Sequence, residues 1–269
     1  MAEEPAGLPY EPLEQGSGFY YVARFCTPAR RAEVGAWLTW FDHIDRIGQQ
    51  ARDPGVSRLK LDWWHEEAAL AQHGRGRHPL SHALKGHLDS DWQVREMGRA
   101  LKAVETQVLR AQPADWNEFR KMGMQHWGSR FRLLSGSANE DQRRIADAAG
   151  YYYATVLTLQ QLARQLGMGH LPLPRNKLQE HGVAIGELQS QPHSSELAQL
   201  SGILLDDART AWQQTKPSAR RSPGFDPVMR LVAQGDRIAR LLSRRHFQTH
   251  RSTPLPTPIG LLWSAWRGR

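Results

Sequence analysis

The 269-residue chain is 40% hydrophobic and 23% charged, an ordinary balance for a globular protein with a sizeable core. Its net charge is +8 and it has a single cysteine, which excludes an internal disulfide framework and fits a reducing compartment. It has no run of about eighteen apolar residues, so no membrane-spanning helix is expected, and no nucleic-acid module accompanies the basic charge.

Taken in order, residues 1–16 are rich in Pro and Glu and are expected to form a flexible tail. The acidic opening, with Glu3 and Glu4, predicts no secretory leader. A long helix is expected from near Phe19 or after Pro28, broken at Asp53 and Pro54. On it Val34, Trp37, Phe41, Ile44 and Gly48 share one apolar face, and Asp45 borders that face. A second helix spans roughly 56–73, with Leu59, Trp63 and Leu70 on its apolar side and Glu66 and Glu67 opposite. A short helix follows over 78–88, with Pro79 in its first turn. The next spans 91–110, with Val94, Met97, Leu101, Val104 and Val108 in register. Further helices are expected over 116–134, 141–166, 197–215 and 228–247, with a Gln- and Ser-rich linker near 189–195 and a basic loop before Val228. No alternating strand pattern and no repeat occurs, so the predicted fold class is all-α.

The residues that carry a family resemblance begin at Phe19. Phe19, Tyr20, Ala23, Arg24, Pro28, Arg30, Arg31, Val34 and Ala36 fall in step with the opening of the squalene/phytoene synthase family. Asp45 lands on the first Asp of that family's D-D-x-x-D, with Arg46 and Gln49 at the other two acidic positions. Leu157 to Pro174 resembles the second signature, through Leu159, Leu162 and Arg164, with Gln161 at an Asn position and Gln165 at the first Asp. The stretch from Arg164 to Gly169 contains no carboxylate. Gly123 and Gly128 stand where the family packs a helix closely through glycines. The resemblance is nearly full-length: a tail over 1–16, the family domain over 17–250 and a basic, Trp-containing segment over 251–269.

The resemblance implies a single isoprenoid-synthase-like helical bundle around a central cavity, lined by Trp37, Phe41, Leu159 and Leu162, with Asp45 and Gln165 on facing helices. In the family, carboxylates on two helices hold Mg²⁺ against an allylic diphosphate. That hard cation demands several oxygen ligands in octahedral geometry, and carboxylates about 5–6 Å apart at Cβ reach one ion cluster. Only Asp45 remains of the four end carboxylates. The expected function is therefore a catalytically degenerate member with no cofactor, which binds a prenyl lipid or a protein partner. The alternative is an active prenyltransferase with a remodelled metal site, which would need Mg²⁺ at Asp45. Candidate ligand- or diphosphate-binding residues are Ser17, Arg24, Gln161, Arg164 and Gln165, and Asp42 with Asp45 is the remnant acidic motif. Arg58, Leu59, Leu61, Trp63 and Trp64 resemble the R-L-x-x-W-W helix of the complex I assembly factor branch of the same fold.

Several features have a plainer reading beside the functional one. Asp42 and Asp45 form a slipped metal motif or helix surface charge. Asp206 and Asp207 form a metal pair or surface charge. His78 and His82 have the i, i+4 spacing of a helical zinc site but no third ligand. Trp63 and Trp64 form a ligand platform or core. Ser17 contacts a diphosphate or caps a helix. Residues 240–269 hold six Arg and no Asp or Glu. Arg240, Arg244 and Arg245, with Trp263 and Trp266, form either an interfacial surface for anionic lipid or part of a terminal helix docked on the core. A cytoplasmic protein, peripheral on the inner membrane face in the first case, is the corresponding expectation.

Overall fold

The structure is a computed structural model that describes residues 13–50, 53–136, 139–183, 186, 194–247 and 256–268. Most of the tail, most of the Gln- and Ser-rich linker, Arg251 and Arg269 lie outside the described residues. The helices are α1 (Gly18–Phe25), α2 (Pro28–Gln50), α3 (Pro54–Gln72), α4 (Pro79–Ala83), α5 (Asp91–Val108), α6 (Trp116–Gly123), α7 (Ser129–Ser135), α8 (Glu140–Gly167), α9 (Arg175–Glu180), α10 (Ser195–Arg221), α11 (Asp226–Arg244) and α12 (Pro258–Arg267). Among the described residues there is no strand. The expected all-α bundle stands.

Helix α8 is its axis. Val156, Leu159, Leu162 and most of 145–156 are buried, and α8 packs against α6, α7, α10 and α11. Its three consecutive tyrosines point to three neighbours. The Tyr151 hydroxyl donates to Asp207 at 2.8 Å and the Tyr152 hydroxyl to Asp236 at 2.7 Å. The Tyr153 ring meets Trp127 edge-on at 4.5 Å. Two of the bundle's contacts are therefore tied by charge-assisted hydrogen bonds, which are stronger than neutral ones.

Between α6 and α7 the chain makes a π-helical turn, Met124–Gly128. An i→i+5 turn inserts a residue into the helical phase and re-aims the side chains around it. This turn lies on α8 where Gly150 meets Gly128: a Cβ at Gly150 would come 2.5 Å from the Gly128 Cα. Gly123 likewise abuts Tyr151 and Ala154 of α8. The close packing expected at Gly123 and Gly128 is present.

Helix α3 corrects the sequence reading. Its buried residues are Ser57, Leu61, Trp64, Glu67, Ala68 and Ala71, whereas Leu59 is 71% exposed. The face is rotated because Glu67, taken as solvent-facing, is wholly satisfied inside. Its Oε1 accepts from the Arg77 amide at 2.6 Å, the His78 amide at 2.8 Å and the Ser81 hydroxyl at 2.7 Å. Three donors offset the desolvation of a buried carboxylate. The N-terminal stretch forms two helices rather than one, with Cys26 buried at their junction. Helix α10 runs through Pro217 to Arg221, into the expected basic loop.

Candidate functional site

Among the described residues, two cavities in the bundle bear on the expected site. The larger, about 710 Å³, lies between α2, α5, the π turn and α8. The smaller, about 260 Å³, lies where α1, α2, α8, α11 and α12 converge. Asp45 and Gln165 both line the larger one, from α2 and α8, so the expected facing positions are brought together. Gln161 and Arg164 stand on the same wall, as does Gln49. Asp42 and Ser17 line the smaller cavity instead. The pair three residues apart on α2 thus splits between two cavities and does not form one metal motif. Asp42 is paired with Arg46 at 2.9 Å. Ser17 caps α1, accepting from the Tyr20 amide at 3.1 Å. Arg24 is exposed on α1 and lines neither cavity. Trp37, Phe41, Leu159 and Leu162 correct the expected lining: they are buried in the core and are not wall residues of either cavity. Trp37 and Phe41 stack on one another at 6.4 Å, and their place on the wall is taken by Trp127, Phe119 and Met122.

The chemistry of the wall is set by one contact. Arg130, on α7, donates to Asp45 Oδ2 at 2.8 Å and to Asp45 Oδ1 at 2.6 Å, a bidentate pair of the strong, geometry-fixing kind. The Arg130 side chain is fully buried and that of Asp45 is 20% exposed. The guanidinium lies 4.8 Å from the Trp127 ring centroid and 5.5 Å from that of Phe41, so aromatic faces hold it in place. Burial alone would raise the Asp45 carboxyl; Arg130 overrides this and holds it well below the usual carboxylate range. His126 lies beside the pair, its Nε2 3.8 Å from Asp45 Oδ1. Burial lowers its basicity and Arg130 lowers it further, against the pull of Asp45, so the imidazole is neutral.

With Asp45 neutralised by Arg130, the wall's remaining charge comes from Arg110 and Arg164. Both are exposed. Arg110 donates to the Met168 carbonyl at 2.8 Å and Arg164 to Gln161 Oε1 at 2.9 Å. His170 also lines the wall, kept neutral by burial and by Arg110. The Gln165 Oε1 is buried without a hydrogen-bond partner, which leaves an acceptor to be satisfied by a bound molecule or water. The donor set does not fit a magnesium cluster. One carboxylate lines the cavity, both its oxygens are engaged, and the other positions offer amides or cations. Among the described residues no group of three or more His, Cys, Asp or Glu is arranged to hold a metal ion.

The remaining sequence candidates are structural. His78 caps α4, its Nδ1 accepting from the Leu80 amide at 3.0 Å, while His82 Nε2 lies 2.9 Å from the Gly76 carbonyl, so the zinc pair is spent on a turn. Asp207 accepts from Trp116 Nε1 at 3.2 Å and from Arg120 and Tyr151, and Asp206 faces outward to Arg209 at 2.7 Å. Trp64 is core, meeting Trp40 and His43 edge-on and His78 at a tilt.

Arg130 and His126 were missed from sequence. A signal existed: Trp127, Phe131 and Leu134 make an apolar stripe, and Arg130 falls on it between them. A cation on a buried stripe demands a carboxylate partner.

Among the solved structures that share this architecture are two synthases. The squalene synthase HpnC from Alicyclobacillus acidocaldarius superposes with a TM-score of 0.72 at 18% identity, over 85% of this chain and 89% of that one. A dehydrosqualene synthase solved in complex with ligand gives 0.74 at 14% identity, over 94% and 91%. At these identities the likeness establishes the fold. No curated protein sequence matches significantly. The squalene/phytoene synthase family model matches residues 14–266, nearly the whole chain, and the chain belongs to that family.

Proposed function

We propose that this protein is a non-catalytic member of the family, which holds a phosphate-bearing prenyl lipid in the 710 Å³ cavity through arginines rather than through metal ions. The observation that carries this reading is the bidentate capture of Asp45 by Arg130. The surviving acidic position serves as a counter-ion inside the fold, its charge met by Arg130, and a single carboxylate so engaged is a poor ligand set for a hard cation. The apolar wall of Phe119, Met122 and Trp127 suits a hydrocarbon chain, and Arg110 and Arg164 suit an anionic head group. A protein client is the second reading. Val56 and Leu59, exposed one turn apart on α3, form the apolar surface that would meet it.

The test is calorimetric titration with farnesyl diphosphate, with and without a chelator. Binding is expected in both, with affinities within about twofold of each other, because arginine contacts do not need a bridging ion. Replacing Arg110 and Arg164 together by Ala is expected to weaken binding by roughly tenfold or more, the size of a lost charge-assisted contact. Binding that requires Mg²⁺ would support the remodelled-metal alternative and overturn this one.

A further inference from the structure

Helix α12 is packed inside out. The face it turns to the bundle is built mainly of small residues: Gly260, Ser264 and Ala265 are buried, with Leu261 at the edge of the smaller cavity. Gly260 and Gly268 lie directly on α11, where a Cβ would meet the Arg237 guanidinium in one case and would come 2.9 Å from Arg230 Cα in the other. The Ala265 carbonyl accepts from buried Arg230, and Ser264 returns its hydroxyl to the Gly260 carbonyl at 2.8 Å. The face it turns outward is apolar. Ile259, Leu262, Trp263 and Trp266, at i, i+3, i+4 and i+7, are 79%, 37%, 50% and 53% exposed. Docking on the core therefore does not account for the tryptophans, because the docked side is the other one.

The stretch of chain that carries this stripe has charge of one sign. Arg267 lies over the Trp263 ring at 5.2 Å, and Trp263 and Trp266 sit 5.2 Å apart. On α11, Arg237 abuts α12 at Gly260, and Arg240 and Arg244 follow on the same side, one and two turns on, both exposed. No Asp or Glu occurs from 237 to 269. An apolar stripe bearing Trp, with Arg267 over it and a stretch of chain that carries arginines and no acid, has the composition of a helix that lies in a membrane interface, and its charge complements an anionic leaflet.

We propose that the outward face of α12, with Arg240 and Arg244 of α11, docks the protein on an anionic membrane surface, Trp263 and Trp266 entering the head-group layer. No transmembrane anchor is needed for this: among the described residues no helix is long and apolar enough to cross a membrane. The proposal is independent of what the cavity binds.

Co-sedimentation of the full chain with vesicles tests it, using phosphatidylcholine alone and phosphatidylcholine mixed with phosphatidylglycerol. Binding is expected to the mixed vesicles only and to fall with added salt. Trp263→Ser with Trp266→Ser is expected to weaken it by roughly tenfold or more, since the apolar insertion is lost. Arg240→Ser with Arg244→Ser is expected to remove much of the preference for anionic lipid. All four side chains are exposed, so both variants are expected to keep the parent's circular dichroism and melting temperature. Equal binding to neutral vesicles, or no change in the tryptophan variant, would overturn the proposal. So would a concentration-dependent dimer in sedimentation velocity that the tryptophan changes abolish, since the stripe would then be covered by a second copy.

Discussion

Asp45→Asn is expected to destabilise the protein by about 3–5 kcal/mol, the cost of leaving a buried charge without its partner. At this chain length that corresponds to a melting temperature lower by roughly 10 °C. The stranded group is Arg130, fully buried between the rings of Trp127 and Phe41 and unable to shed its proton. Arg130→Met is expected to cost less, about 2–3 kcal/mol, because water in the cavity reaches the partly exposed carboxylate and protonation relieves it. The double variant is expected to be more stable than Asp45→Asn alone, with a coupling of about 2 kcal/mol or more. A carboxylate whose folded pKa is depressed contributes stability above its unfolded pKa of about 3.9, lost as the pH falls toward the folded value. The Asp45→Asn deficit is therefore expected to be flat from neutral pH to about 5 and to shrink only below that. Urea denaturation of the four proteins measures all of this. An Asp45→Asn protein as stable as the parent, or more so, would mark the residue as a strained site ligand, because catalytic positions are where stability is traded for activity.

Gly150→Ala is expected to cost roughly 3 kcal/mol, the upper range for inserting an atom into a packed core. The added Cβ would meet Gly128 N and Cα and come 2.7 Å from the Trp127 carbonyl carbon. These are backbone atoms, and they yield only if the π turn lifts from α8. The turn carries Gln125, His126 and Trp127 onto the cavity wall, so ligand binding is expected to fall with stability. Gly35→Ala is the control. Its Cβ meets nothing within 4 Å, and α2 should gain about 0.5–1 kcal/mol from the lost backbone freedom of the unfolded chain. Thermal melts of the two variants should move in opposite directions; equal melting would mean that α8 and the π turn are not held in this contact.

Much of the fold was legible because its helices are long and their apolar periods regular. The run Val34, Trp37, Phe41 and Ile44 is buried as its spacing predicts. The period failed where a buried group was polar. Glu67 reads as surface charge until the chain folds the Arg77 and His78 amides onto it, which is a tertiary event with no local signature. The cavity was legible in position, through Asp45 and Gln165, but its lining was not. Trp37 and Phe41 lie on the same apolar face as wall residues would, and periodicity cannot separate a core position from a cavity wall. His126 and Arg130, four residues apart, share a helical face, but their meeting with Asp45 of α2 is a tertiary contact with no local signature.

The cavity is expected to hold its ligand without turning it over. The most direct measurement is incubation of the purified protein with farnesyl or geranylgeranyl diphosphate and Mg²⁺, with hexane extraction and mass spectrometry of the products. Ionisation of an allylic diphosphate develops charge on the leaving group that metal clamps ordinarily stabilise, and the one carboxylate on this wall is held by Arg130. No coupled hydrocarbon is expected from either substrate, with the diphosphate recovered intact. A squalene- or phytoene-like product that appears with Mg²⁺ and disappears on chelation would contradict this expectation and make the chain an enzyme.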